Sequence, residues 1–202
     1  SRNKSSKKLI NKRYALYIDG ARPHIIGDEF IIKQKVTLTP ENWYPRLNHF
    51  FDLLESKLKL KVIIAGHPKT ENTGLEDRFD GRKVIFNQTK ELIKDCEFIA
   101  TRISTAISYA VIYNKKIFFI QTKELFKDKY FNFVQESYLN TFNQKALFID
   151  GDSEEIIQKI KSHKINKSLY KEFINKNLTG IHSSTNYQII NEIFEKLNQK
   201  FF

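Results

Sequence analysis

Methionine is absent from the 202-residue sequence, and cysteine occurs once, at Cys96. A lone cysteine can form no disulfide within the chain and cannot build a cysteine-based zinc site, which fits a reducing compartment. We expect neither a metal ion nor a cofactor. The lack of methionine predicts that the chain is a processed product or a segment of a longer protein, and we favour the segment.

Long apolar runs are also lacking. No run approaches the ~20 residues that a membrane-spanning helix requires. The basic start of the chain, residues 1–13, has no apolar centre of the kind that defines a signal peptide. We interpret residues 1–13 as a basic linker that precedes the folded domain.

Positive charge is in excess, with a net charge of +11 and a pI near 9.5. A basic chain can bind nucleic acid. Here, however, most basic residues are lysines, and they are scattered apart from residues 1–13. The joint abundance of Lys, Ile, Asn and Phe is also what an AT-rich genome produces without selection for binding. We therefore expect no nucleic-acid partner, and an anionic membrane surface or an anionic substrate explains the charge as well.

The pattern of apolar residues predicts an α/β fold. Short apolar runs, each closed by polar residues, alternate with longer segments of helical periodicity. At this length, the alternation is typical of one Rossmann-like, three-layer domain with a mostly parallel sheet, which we expect over residues 14–182. Residues 183–202 are predicted to form a carboxyl-terminal helix.

The individual elements follow from the same pattern. The predicted strands are 14–18, 62–65, 84–86, 98–100, 115–120 and 146–149. The predicted helices begin near residues 40, 89, 104, 123, 153, 167 and 184. The first helix has Thr39 as a suitable N-cap and Pro40 at its first position. We interpret the preceding loop, with His24 and Asp28, as a polar surface loop that has room for a short strand within 29–36.

Polar residues follow three consecutive predicted strands. They are His67 and Pro68 after the first, Asn87 and Thr89 after the second, and Ser104, Thr105 and Ala106 after the third. Because the carboxyl ends of parallel strands meet at one edge of a sheet, we expect these residues to converge. The sequence therefore predicts a nucleotide-phosphate site at that edge.

Each motif also has a purely structural interpretation. The His67 imidazole can donate a hydrogen bond to a phosphate, or it can cap the end of the strand. Ser104 and Thr105 can present hydroxyls and free backbone N–H groups to an anion at a helix start, or they can be ordinary N-caps. Thr89 suits a cap better than a ligand. Their expected convergence favours the phosphate site, since capping alone predicts no relation among the three motifs.

The order of these motifs resembles that of bacterial surface-carbohydrate biosynthesis proteins. More broadly, residues 14–125 are similar to the carboxyl-terminal half of GT-B glycosyltransferases that use CMP-activated sugars, such as bacterial sialyltransferases and Kdo transferases. Those enzymes share a His-Pro motif and a Ser-Ser/Thr motif, which His67-Pro68 and Ser104-Thr105 match. The resemblance implies a GT-B-type half that binds a nucleotide sugar.

The resemblance also implies roles for individual residues. The residues that hold the phosphate would be His67, Ser104 and Thr105, flanked by Pro68 and Ala106, and those near the base and ribose would be Asn87, Thr89 and Glu91. His67 would act directly on the leaving phosphate. The family's general base belongs to an acidic-acidic-Gly motif, of which Asp19-Gly20 matches the last two letters. Asp19 is therefore a candidate base, although we expect the complete motif in a missing amino-terminal domain, onto which helix 183–202 would pack.

One position departs from the family pattern. Where the family has a histidine or a small polar residue before the Ser-Thr pair, this chain has Arg102-Ile103. Arg102 is either an additional phosphate contact or a surface residue in a salt bridge, and the sequence alone favours the surface interpretation.

The function implied by the resemblance is that of a sialyltransferase-like glycosyltransferase, incomplete in this chain. Its donor would be a CMP-linked sugar and its acceptor a glycan of bacterial capsule, lipooligosaccharide or other surface polysaccharide. The expected location is the cytoplasm, with a peripheral contact at the inner face of the membrane. Two alternatives stay open: a UDP-sugar transferase or epimerase of GT-B fold, and a non-catalytic module that binds nucleotide or nucleic acid.

Overall fold

The computed structural model describes residues 9–21, 23, 38–127 and 129–178. Three of the sequence predictions lie outside these residues: the short strand within 29–36, the loop with His24 and Asp28, and the carboxyl-terminal helix.

The described residues form a six-stranded, all-parallel sheet with helices on both faces, which confirms the predicted Rossmann-like α/β class. The strands are β1 (Tyr14–Ile18), β2 (Lys61–Ala65), β3 (Val84–Ile85), β4 (Phe98–Thr101), β5 (Lys116–Gln121) and β6 (Leu147–Phe148). The α-helices are α1 (Pro40–Leu58), α2 (Thr89–Asp95), α3 (Ile107–Ile112), α4 (Lys129–Thr141), α5 (Ser153–Ser162) and α6 (Lys167–Asn177).

The strand order is β3-β2-β1-β4-β5-β6, so β1 lies inside the sheet. Leu16 at its centre is paired with Ile63 of β2 on one side and with Ile99 of β4 on the other. The chain first builds outward from β1 to β3, then returns across the sheet to add β4 beside β1. Strands β2 and β3 are therefore added on one side of β1, and strands β4 to β6 on the other side. In open α/β sheets such a reversal leaves a crevice at the carboxyl ends of the strands.

Two apolar cores, one on each face, hold the sheet between the helices. Alternate residues of β1 enter different cores: Ala15 and Tyr17 face α1 and α5, whereas Tyr14, Leu16 and Ile18 face α2, α3, α4 and α6. All five residues of β1 are buried because both faces of a parallel sheet are covered. This double burial explains why the central strands are continuous apolar runs in the sequence.

The first helix begins where the sequence predicts. The Thr39 hydroxyl accepts a hydrogen bond from the Asn42 backbone N–H, and the Asn42 side chain accepts one from the Thr39 backbone N–H. This reciprocal capping box satisfies two backbone donors, and Pro40 occupies the first helical position. Of the described helices, none combines the length and apolar character that crossing a bilayer would require.

The end of β2 is closely covered by an aromatic ring. A Cβ atom added to Gly66 would lie 2.4 Å from Cε1 of Phe86, a separation that atoms cannot adopt without displacement of the ring. Gly66 is therefore required for close approach between the strand end and the Phe86 side chain, immediately before the turn that carries His67.

We expect Gly66→Ala to destabilise the protein by ~1–3 kcal/mol, because the added methyl group overpacks the contact with Phe86. Urea denaturation of the variant measures the loss. Gly20→Ala is the matched control, since no atom lies within 4 Å of a Cβ at Gly20. In a Phe86→Ala background the Gly66→Ala change should cost much less, and an undiminished cost there would contradict the explanation.

Candidate functional site

A cavity of about 390 Å³ lies at the carboxyl edge of the sheet, beside the reversal point between β1 and β4. Its walls come from the loops that follow β1, β2 and β4, together with Trp43 of α1 and Thr89 of α2. The volume is within the range of small-molecule sites, and the location is the one expected for ligands in doubly wound sheets.

Most of the residues predicted for the site line this one cavity. They are Asp19, His67, Pro68, Thr89, Ser104, Thr105 and Ala106. Two predicted residues are not part of the lining. The Asn87 side chain donates a hydrogen bond to Glu71, with 2.9 Å between the Asn87 Nδ2 and Glu71 Oε2 atoms, and Glu91 is exposed on α2.

His67 makes a capping contact and also lines the cavity. It caps the 3-10 turn Pro68–Thr70, because its Nδ1 atom accepts a hydrogen bond of 3.2 Å from the Lys69 backbone N–H. In the neutral imidazole, an accepting Nδ1 requires that the proton be on Nε2. The capping contact therefore sets the neutral tautomer in which the proton is on Nε2.

The Ser-Thr motif is a turn rather than a helix start. The helix α3 begins at Ile107, not at Ser104 as predicted, and it is only six residues long. The carbonyl groups of residues 104–106 accept hydrogen bonds from the N–H group three residues on, as in a 3-10 turn, and Ser104 Oγ accepts one of 3.1 Å from the Ala106 backbone N–H. The contribution of a helix dipole is therefore small here, and the hydroxyls of Ser104 and Thr105 are the donors that the motif offers.

Thr89 is not the N-cap that the sequence favoured. The N-cap of α2 is Gln88, whose side chain makes no capping hydrogen bond, and Thr89 is the first helical residue. Its hydroxyl is thus not used to begin the helix. Thr89 lines the cavity from the helix that follows β3.

Asp19 is buried beneath the cavity and ion-paired. The Arg78 Nη2 atom lies 2.5 Å from Asp19 Oδ2, and the Ala21 backbone N–H donates to Oδ1 at 3.2 Å. Burial raises the pKa of Asp19, while the Arg78 charge, the Ala21 hydrogen bond and the nearby His67 lower it. With its side chain fully buried and both oxygens engaged, Asp19 suits a structural ion pair better than a general base.

Arg78 does not line the cavity, but it is the partner of Asp19, and nothing in the sequence indicated this pairing. It lies on the 3-10 turn Leu75–Phe79, and besides Asp19 it binds the Leu75 carbonyl oxygen at 2.5 Å. Its guanidinium carbon is 4.6 Å from the centre of the Phe79 ring. No local sequence signal identifies this pairing, because Asp19 and Arg78 are 59 residues apart, with β2 between them.

The surface interpretation of Arg102 is wrong. Arg102 is 7% exposed, lines the cavity and approaches Trp43, with 6.0 Å between the guanidinium carbon and the centre of the indole ring. The reason is its place directly after Thr101, the fully buried last residue of β4, at the centre of the sheet edge. Its position at the end of an internal strand was the available sequence signal.

The polar side chains that line the cavity do not form an acyl-transfer triad. An acid, an imidazole and a hydroxyl are present, but an acyl-transfer triad requires histidine Nδ1–H to donate to the acid. Here the Nδ1 atom of His67 accepts from the backbone, and Asp19 is occupied by Arg78. The lining instead contains several residues whose side chains can donate hydrogen bonds: His67, Thr89, Arg102, Ser104 and Thr105.

Among the described residues, no three His, Cys, Asp or Glu side chains are grouped as a metal site would require. The sequence matches no protein-family model, and a search of curated proteins gives no significant match.

Proposed function

We propose that this cavity binds the phosphate of a nucleotide-activated sugar, and that the chain is the donor-binding half of a glycosyltransferase that uses a CMP-linked sugar. One observation carries the proposal: His67 and the Ser104-Thr105 pair, which come from different strands, line a single cavity together with Arg102. Capping roles alone give no reason for the loops that follow β2 and β4 to line the same space.

The proposed chemistry depends on where charge develops during sugar transfer. As the bond between sugar and phosphate breaks, negative charge accumulates on the leaving phosphate. Donors that are already fixed in place stabilise this charge more in the transition state than in the ground state. The capping contact holds the His67 ring, and Arg102 is buried beside Trp43, so both side chains are held in place before a ligand binds.

The acceptor must lose a proton as it attacks the sugar, and a general base has to remove it. Asp19 is poorly suited because its carboxylate is buried against Arg78. We therefore propose that the base comes from the acceptor-binding half of the enzyme. It follows that this chain alone should bind nucleotide and turn over little or no substrate.

Calorimetric titration of CMP and UMP into the wild type tests the proposed ligand. We expect CMP to bind more tightly than UMP. The variant Ser104→Ala/Thr105→Ala should bind CMP ~5–100-fold more weakly, because each lost hydroxyl removes one hydrogen bond to the phosphate at ~0.5–1.5 kcal/mol. Thr141→Ala, which removes an exposed hydroxyl on α4, is the control.

The outcomes of this titration separate the alternatives. Equal affinity of the wild type and the double variant would contradict the phosphate role of the pair. Preference for UMP and UDP would favour a UDP-sugar enzyme. Binding of single-stranded DNA that weakens with salt and persists in His67→Ala would favour a nucleic-acid module.

A further inference from the structure

Three amide side chains are buried beside the cavity, where apolar residues would be expected. Gln121, Asn132 and Gln135 are 0%, 5% and 2% exposed. Gln121 Nε2 donates to Asn132 Oδ1 at 3.0 Å and to Gln135 Oε1 at 3.1 Å, while Gln121 Oε1 accepts from the Thr122 backbone N–H at 3.1 Å. We call these three side chains the amide network. It joins the end of β5 to the inner face of α4.

The amide network ends on the loop that carries the proposed anion ligands. Gln135 Nε2 donates to the Arg102 carbonyl oxygen at 2.9 Å and to the Ile120 carbonyl oxygen at 3.0 Å. Both amide protons of Gln135 are thereby used, one on the residue that follows β4 and one on β5. A buried carbonyl deprived of its donor costs ~1–3 kcal/mol, so an apolar residue at position 135 would leave this loop poorly held.

We propose that Gln135 is a positioning residue for the anion site, which acts through the Arg102 backbone. The Arg102 carbonyl and side chain share one Cα atom, so the hydrogen bond from Gln135 fixes the backbone position from which the Arg102 side chain extends. A displacement of about 1 Å at a binding group can cost on the order of 10²-fold in rate. The inference rests on the proposed function only in assuming that Arg102 contacts the phosphate.

The protein contains a built-in reporter of the Arg102 position. Trp43 is the sole tryptophan of the chain, and its ring lies 6.0 Å from the Arg102 guanidinium carbon. A cation beside an indole ring alters its emission energy, so the fluorescence of Trp43 reports movement of Arg102 independently of any ligand.

The test compares Gln135→Met with Leu139→Ala, both on α4. Methionine keeps the volume and helix propensity of glutamine but donates no hydrogen bond. Leu139 faces the apolar core, and its truncation loosens the same helix without removing an amide. We expect Gln135→Met to shift the Trp43 emission and to weaken binding of CMP and inorganic phosphate at least 10-fold. Leu139→Ala should lower the Tm at least as much as Gln135→Met does. It should change neither the Trp43 emission nor the affinity for CMP and phosphate.

Unchanged emission and affinity in Gln135→Met would overturn the proposal. An emission shift and a loss of affinity in Leu139→Ala as large as those in Gln135→Met would also overturn it. If Gln135→Met does not fold, Gln121→Leu is the second variant, because it removes the donor that orients Gln135. Gln121→Leu should shift the Trp43 emission and the affinity in the same direction by a smaller amount. Wild-type emission and affinity in Gln121→Leu would overturn the proposal. If the wild type binds neither CMP nor phosphate, the proposed function fails, and the emission alone decides whether Gln135 positions Arg102.

Discussion

Replacing Arg78 by methionine should lower the free energy of unfolding by ~3–5 kcal/mol, the cost of removing one partner from a buried ion pair. Asp19 would be left fully buried with a negative charge, and the Leu75 carbonyl oxygen would lose its donor. Methionine fills similar space against Phe79, so the loss of packing is small. Urea denaturation monitored by circular dichroism measures the effect.

Arg82→Met is the matched control for Arg78→Met. Arg82 is equally buried and lies over the Phe51 ring, but its acidic partners, Asp52 and Glu55, are 66% and 37% exposed. Water can solvate these carboxylates once the arginine is removed, so the loss should be ~1 kcal/mol or less. Equal losses in the two variants would contradict a special role for the buried pair.

The destabilisation by Arg78→Met should also depend on pH. Burial already raises the pKa of Asp19, and loss of the Arg78 charge raises that pKa further. For an acid with a raised pKa in the folded state, stability is complete below the unfolded-state pKa and is lost as pH rises through the folded-state pKa. The difference between wild type and variant should therefore be largest at pH 8 and shrink toward acidic pH. The additional change Asp19→Asn should remove this dependence.

Replacing Arg102 by methionine should weaken binding of CMP or inorganic phosphate by ~10–100-fold, because a hydrogen bond to a charged group contributes ~1.5–3 kcal/mol. Stability should change little, since loss of a buried charge offsets the loss of its interactions. Arg102→Lys should retain part of the affinity, because lysine keeps the positive charge but lacks the planar guanidinium group that can donate two parallel hydrogen bonds to a phosphate. Calorimetry gives the affinity, and thermal unfolding gives the stability.

Arg46→Met controls for the reduction in net charge. Arg46 lies on the surface of α1, paired with Glu124, and removing it lowers the charge of the protein by the same amount. Its affinity for phosphate should equal that of the wild type. If Arg102→Met instead unfolds at a much lower temperature and binds phosphate with undiminished affinity, Arg102 is a structural residue and the anion-site interpretation is wrong.

The sequence by itself determined the architecture and the edge of the sheet at which polar groups collect. Buried parallel strands must be apolar along their whole length, so β1, β2 and β4 are visible as short runs. The polar residue that ends each run marks the carboxyl edge. The positions of His67 and Ser104 in the sequence therefore suffice to assign both to one edge, because all strands of a parallel sheet point the same way.

The tertiary structure decided which side chains surround the cavity and how each is held. The sequence placed Arg102 at the surface because it showed neither that β4 lies beside β1 nor that Trp43 covers the end of that strand. The Asp19–Arg78 pair and the hydrogen bond from Gln135 to Arg102 join residues from separate elements. Such contacts depend on how helices and loops pack against the sheet, and hydrophobic periodicity records which face of an element is buried but not which residue it meets there.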